Sequence, residues 1–222
     1  MRFLAVLAVL LFSFVFVAAQ NEQAPIYEKE VKYKDWTYKN VRDSGETNLR
    51  KFANGKKLVM VVYFAPWCPN WKHEAPFAQK LYEKYKANGF EVIGVAEYDT
   101  VEAMKANLEA FKITFPVVYE SEARDAKQKT LHYEYRKAAG DTRNWGSPWN
   151  IFLVPKELNK KGDILTEKAS VVNGELIELE AEKFVREKLG LPPMELKISM
   201  TEKKEIDACA PDKKILSLKK PE

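Results

Sequence analysis

Apolar and polar positions along this chain form unbroken hydrophobic runs alternating with amphipathic stretches, and their order predicts the architecture. Leu58 to Ala65 contains only β-branched, aromatic and other apolar residues. That is too apolar for a half-exposed strand and predicts a central strand buried on both faces. Phe90 to Ala96 predicts a second such strand, and Asn150 to Val154 another. Between the first two, Trp71, Ala75, Ala78, Leu81, Tyr82 and Tyr85 recur at helical spacing and stop at Asn88-Gly89. Asp99-Thr100-Val101-Glu102 has the form of a capping box and predicts a helix to about Lys112. Strand, helix, strand, helix in this order implies parallel pairing.

Ile113 to Tyr119 reads as a short extended piece, and the charged stretch Glu120 to Ala139 as helical. Glu167 to Val172 reads as the last strand, in a hairpin across the turn at Asn159 to Asp163. Glu178 to Leu189 is amphipathic and predicts a final helix, stopped by Gly190 with Pro192-Pro193 beyond. Near the start, Trp36 to Val41 and Glu46 to Phe52 flank Asp43-Ser44-Gly45 and predict a hairpin. No internal repeat is evident.

The longest apolar run, Phe3 to Ala19, follows Arg2, is interrupted only by Ser13, and ends at Gln20-Asn21-Glu22. It has the form of a secretory signal peptide cleaved near Ala19. The alternative is an uncleaved segment tethering the chain to a membrane. With the leader cleaved, the expected location is exported, periplasmic or secreted, with no membrane span in the mature chain. The resulting organisation is a leader at 1–19, a polar lead-in at 20–35, a folded domain at 36–190 and a lysine-rich tail at 191–222. Thiols in such a compartment tend to be oxidised, which bears on Cys68 and Cys209.

Composition narrows the classes further. Of 222 residues 46% are apolar, which excludes disordered and low-complexity chains. The 36 basic and 32 acidic side chains are interspersed, with no basic stretch dense enough for a phosphate-binding face, so nucleic acid is not an expected partner. Two cysteines cannot form a disulfide scaffold. His73 and His132 are isolated, so no metal site is expected. No phosphate-cradling glycine loop suggests a cofactor.

The stretch Phe64-Ala65-Pro66-Trp67-Cys68-Pro69-Asn70-Trp71-Lys72-His73-Glu74-Ala75-Pro76, with Phe115-Pro116, Ser147-Pro148 and Gly162, resembles the thioredoxin superfamily. The nearest branches are the exported TlpA-like and ResA-like thiol-disulfide oxidoreductases and the AhpC/TSA (redoxin) group, and the likeness runs from Trp36 to Leu189. It implies an α/β thioredoxin-like fold, a central mixed sheet of four or five strands flanked by helices with an N-terminal β-hairpin. It also implies a cis bond before Pro148, facing the cysteine. The departure is Trp71, which stands where the family has its second, resolving cysteine. A resolving thiol attacks the mixed disulfide formed by the first, and an indole cannot.

Carried onto this sequence, the resemblance makes Cys68 the nucleophile, at the start of a helix whose free N–H groups favour a thiolate. The alternative is a relic thiol. Glu74 matches the family's acid beside the thiols, although on a surface helix glutamate is also the default filler. Val62 stands where thioredoxins proper carry an aspartate. Ser147 and Pro148 are expected to pair with a substrate backbone. Trp67, Trp71 and Trp149, with Trp145, are expected to form a partly exposed apolar platform for a peptide. Cys209 is the candidate resolving thiol or disulfide partner of Cys68. Peroxidase activity is not expected, because Ala65 and Val61 replace the threonine and proline of the peroxiredoxin motif. The function expected is thiol-disulfide exchange with protein or peptide thiols through one motif cysteine. The alternative is a non-redox binding module using the aromatic groove.

Overall fold

A computed structural model of the protein describes residues 22–194. The leader at 1–19 and Cys209, with most of the tail, lie outside the described residues. The chain divides into two units after Leu191, and the first holds every helix and strand of the described residues.

In chain order the elements are β1 (Gln23–Ala24), β2 (Tyr27–Lys34), β3 (Thr37–Asn40), β4 (Glu46–Asn48), α1 (Leu49–Ala53), β5 (Leu58–Phe64), α2 (Pro69–Tyr85), β6 (Phe90–Ala96), α3 (Val101–Ala110) and β7 (Val117–Tyr119). Then come α4 (Leu131–Ala138), β8 (Trp149–Leu153), β9 (Ile164–Val172), β10 (Glu175–Leu176) and α5 (Glu178–Leu189). The main sheet runs β2-β9-β8-β5-β6-β7-β3-β4. Its middle, β9-β8-β5-β6-β7, supplies the expected central strands. β5, β6 and β7 are parallel, while β8 runs antiparallel to β5, and β9 to β8. The expected hairpin, β3–β4, adds to one edge and β2 to the other, and β1 pairs separately with β10.

Every residue of β5 is buried, as its composition requires. Leu58, Met60, Val62 and Phe64 face α2, α3 and α5, packing with Trp71, Ala78, Leu108 and Val185. Val59, Val61 and Tyr63 face the other way, with Tyr33, Trp36, Tyr135 and Trp149. Both faces of the strand are therefore core, and the first polar opportunity for the chain comes at its C-terminal end.

Four elements differ from the sequence expectation. The supposed loose lead-in contains β2, whose Val31 and Tyr33 point inward while its lysines and glutamates line the outer face. Charges on an edge strand deter pairing with other chains and mask its two-residue period. The second arm of the hairpin ends early: Asn48 caps α1 through an Oδ1 bond from the Lys51 N–H (3.0 Å) and donates from Nδ2 to Asp35 (3.0 Å). A side chain satisfying the first free N–H groups of a helix decides the matter against strand continuation. The 120–139 stretch is split, with a 3-10 segment at Arg124–Lys129 and Thr130 capping α4. The cap of α3 is Thr100, one position later than the capping-box reading.

Asn48→Ala removes the cap of α1 and its tie to Asp35. It is expected to cost about 1–2 kcal/mol, seen as a lower urea midpoint with an unchanged slope. An unmoved midpoint would show that the cap contributes nothing.

Candidate functional site

β5 emerges from the core at Phe64, turns through Ala65-Pro66-Trp67, and reaches Cys68, the N-cap of α2. Cys68 is 7% exposed. Its thiol donates to the Ser147 carbonyl oxygen (3.1 Å), and the Ser147 Oγ accepts from the Ala65 N–H (2.9 Å). These two bonds join the cysteine loop to the loop before β8, and the Ser147–Pro148 peptide is cis. Ser147 and Pro148 are both buried at this junction.

Trp71 occupies the second motif position from inside. It is fully buried and stacked on Phe64, with ring centroids 4.1 Å apart at 20°. Its Nε1 donates to Asn107 Oδ1 (2.9 Å), and Asn107 Nδ2 donates to the Pro66 carbonyl (3.0 Å). The indole thus bolts the cysteine loop to α3. Trp149 is also fully buried, with Nε1 donating to Asn173 (2.8 Å). The expected four-tryptophan platform is corrected accordingly: Trp71 and Trp149 are core residues. Large aromatic surfaces at a helix start and on a central strand are drawn inward because their burial is worth more than their display. The partly exposed pair is Trp67 and Trp145, edge to face at 5.0 Å. Arg124 lies 4.6 Å over the Trp67 ring and Lys127 4.4 Å over the Trp145 ring.

Glu74 is buried, so the surface-filler reading fails. Its Oε2 accepts from the Leu176 N–H (2.7 Å) and from Asn150 Nδ2 (3.2 Å), while Oε1 has no hydrogen-bond partner. Burial, only partly offset by those two donors, pushes its carboxyl up to about 8. Asn150 is the register partner of Val62. The helix therefore delivers a carboxyl next to the strand position where no acid stands.

Other buried polar groups lie behind the two loops, with little sign of them in the residue pattern. Tyr98 adopts a left-handed backbone (φ 65°), and its carbonyl accepts from Trp67 Nε1 (3.4 Å). Its hydroxyl lies 2.9 Å from Nδ1 of the fully buried His132, whose Nε2 lies 3.1 Å from the Gly146 carbonyl. Arg136, one turn beyond His132, donates to the Arg143 and Asn144 carbonyls (2.7 and 2.9 Å). Arg143 in turn donates to the Pro148 carbonyl (2.8 Å). Glu97 is wholly buried with no donor to either oxygen, and burial beside Glu120 holds its carboxyl well above the usual range. Among the described residues, no three His, Cys, Asp or Glu side chains gather as a metal site.

The sequence profile of the AhpC/TSA family matches residues 30–140, half of the chain. The chain belongs to the AhpC/TSA family. Within it, the ResA-like, thioredoxin-superfamily character is supported by curated relatives. Thiol-disulfide oxidoreductase ResA of Oceanobacillus iheyensis is 26% identical over 119 residues, 52% of this chain and 62% of the relative. Protein disulfide-isomerase of Drosophila melanogaster is 39% identical over 87 residues, 38% of this chain and 16% of the relative. ResA of Bacillus cereus is 33% identical over 61 residues, 28% and 35% respectively. The chain thus spans less than two thirds of the length of each. Among solved structures, a thiol:disulfide interchange protein from Chlorobium tepidum matches with a TM-score of 0.50 at 19% identity, covering 73% of this chain and 98% of that one. A DsbF homologue from Corynebacterium diphtheriae matches with a TM-score of 0.52 at 14% identity, covering 78% and 97%. These likenesses show the fold, which is thioredoxin-like. No helix among the described residues is long and apolar enough to cross a membrane.

The Glu74 carboxyl binds its proton more tightly folded than unfolded, where it titrates near 4.5. Its contribution to stability is therefore fully present below that value, falls as pH rises through about 8, and is level above. Glu74→Gln cancels this slope. In urea unfolding from pH 5 to 9, the stability of the variant relative to the natural protein is expected to rise until about pH 8 and then flatten. A difference independent of pH would mean that Glu74 is ionised throughout.

Proposed function

We propose that this protein carries out thiol-disulfide exchange with protein or peptide substrates through Cys68 alone within its motif, in an exported compartment. The observation that carries the reading is the position of Cys68: the N-cap of α2, beside a cis-proline loop, in a chain whose relatives are named as thiol-disulfide oxidoreductases. The export part rests on the apolar leader Phe3 to Ala19.

In the first step the Cys68 thiolate, having released its proton, attacks one sulfur of a substrate disulfide. A Cys68–substrate disulfide forms, the substrate S–S bond breaks, and the departing thiolate takes up a proton. In the second step an external low-molecular-weight thiol loses a proton and attacks the mixed disulfide, returning Cys68 as a thiol and leaving the substrate joined to the external thiol. Each step exchanges one S–S bond for another, so electrons balance with no oxidant. Ser147 and Pro148 orient the substrate backbone. Glu74, protonated or not within the physiological range, exchanges protons near the base of α2. Cys209 is an alternative second-step thiol within the same chain.

One observation favours a second reading. Trp71 and Asn107 fill the second motif position with a hydrogen-bonded apolar plug, which suits a fold retained as a binding module around Trp67 and Trp145.

Turnover of a fluorogenic glutathione disulfide, with added monothiol as reductant, tests the choice. Cys68→Ser is expected to reduce the rate at least a hundredfold to background, while Cys209→Ser retains it when the external thiol is saturating. A Cys68→Ser protein with the natural rate would sink the redox reading and leave the binding module.

A further inference from the structure

His132 takes no part in the exchange just described, yet it is wholly buried and both its ring nitrogens are engaged. A carbonyl oxygen only accepts, so the bond to Gly146 requires the hydrogen on Nε2. Nδ1 is then bare and accepts from the Tyr98 hydroxyl. One neutral tautomer satisfies both bonds, and burial together with Arg136 holds the imidazole well below its ordinary range. The ring is fixed further by stacking on Tyr63, 4.9 Å away at 9°, and its backbone N–H donates to Glu120 Oε2 (3.2 Å).

Tyr98 supplies an independent sign of constraint. A bulky residue with φ 65° is strained, and such strain persists where surrounding contacts require it. Here the contacts are with Trp67, next to Cys68, and with His132. Gly146, whose carbonyl His132 holds, has φ 60°, and a Cβ there would clash with Arg136 Cδ. The next residue, Ser147, presents the carbonyl that accepts the Cys68 thiol hydrogen. The path from Trp67 through Tyr98, His132 and Gly146 to Ser147 therefore closes on Cys68 from both sides.

We propose that His132, with Tyr98, is a positioning residue for Cys68: it holds the Gly146–Ser147 segment so that the Ser147 carbonyl rests on the thiol and stabilises its protonated form against the thiolate. A carbonyl oxygen accepts from S–H and repels S⁻, so loosening it makes the thiol easier to ionise. The charged and titratable groups facing His132 are Arg136, Arg143, Glu120, Tyr98 and Tyr63, with Glu97 beyond Glu120. Its consequence for exchange rests on the proposed role of Cys68 as nucleophile, whereas the positioning itself does not.

The test is the pH dependence of Cys68 alkylation by iodoacetamide in the full-length chain, read on the Cys68 peptide by mass spectrometry so that Cys209 does not contribute. His132→Phe keeps a ring on Tyr63 and removes both hydrogen bonds. Its alkylation midpoint is expected about half to one pH unit lower, with a roughly threefold to tenfold faster reaction at pH 7. His132→Gln restores an N–H donor towards Gly146 and is expected to return most of the shift. A His132→Phe protein with native near-ultraviolet circular dichroism and the natural midpoint overturns the proposal, as does a shift that Gln leaves in place. Should His132→Phe not fold, Tyr98→Phe decides: a smaller downward shift supports the proposal and an unmoved midpoint overturns it. Alkylation needs no disulfide turnover. A protein with the predicted shifts but no exchange activity therefore refutes the proposed function and leaves this inference standing.

Discussion

Phe64 and Trp71 lie face to face across the turn that carries Cys68, and the geometry of the site follows from that stack. A strand with both faces buried has no freedom in how it leaves the sheet. Its last residue, Phe64, presents a ring to the helix side, and a flat partner at least as large covers it without a void. Trp71 does this from the first turn of α2. The stack fixes that turn against β5, and the Nε1 bond to Asn107 carries the constraint to α3 and back to the carbonyl of Pro66. Cys68 is held between these anchor points. The residue that abolishes an in-motif second thiol is thus also the residue that sets the first thiol's position.

The same burial logic governs the carboxyls. Val62 offers no acid on the strand, but Asn150 beside it in the sheet donates to Glu74, which reaches in from the opposite element. A carboxyl in this setting accepts two hydrogen bonds and still titrates near 8, because two donors offset only part of the loss of water. Glu97 stands at the end of β6, where the Phe64 carbonyl accepts from its N–H, and neither of its carboxyl oxygens has a hydrogen-bond partner, so burial beside Glu120 holds it well above the usual range. Each retains a proton at pH values where an exposed glutamate has none.

How much of this was legible in the sequence depends on the range of the interaction. The unbroken apolar strands β5 and β6, and the amphipathic α5 with its terminal Gly190, depend on neighbours in sequence, and they were readable to within a residue. β2 was not, because its charged outer face hid the inward Val31 and Tyr33, and its partner β9 is far along the chain. The cysteine, its helix and the proline loop were legible through the family motif. Burial of Trp71, Trp149 and Glu74 was not, since an amphipathic pattern gives the side of a helix that packs but not the depth to which a particular side chain sinks. His132 was visible only as a solitary histidine, because its partners Tyr98 and Gly146 lie 34 and 14 positions away.

Burial also bears on which sulfur of a mixed disulfide an external thiol attacks in the proposed exchange. The incoming thiolate must approach along the S–S axis, from behind the sulfur it strikes. Behind Cys68 Sγ lies protein: the residue is 7% exposed, the Ser147 carbonyl sits against the thiol, and the Phe64–Trp71 stack fills the interior. In the proposed exchange the substrate's sulfur lies on the side away from this protein wall, so the approach from behind it is from solution. Attack there transfers the substrate to the external thiol and releases Cys68 as the leaving group, which the free N–H groups at the start of α2 favour. A resolving cysteine three residues along, at the position of Trp71, approaches Cys68 from within and strikes the protein's own sulfur. Replacing it by a buried indole therefore does more than remove a thiol: it closes the inner approach and leaves the outer one, so that release of the substrate depends on what reaches it from solution.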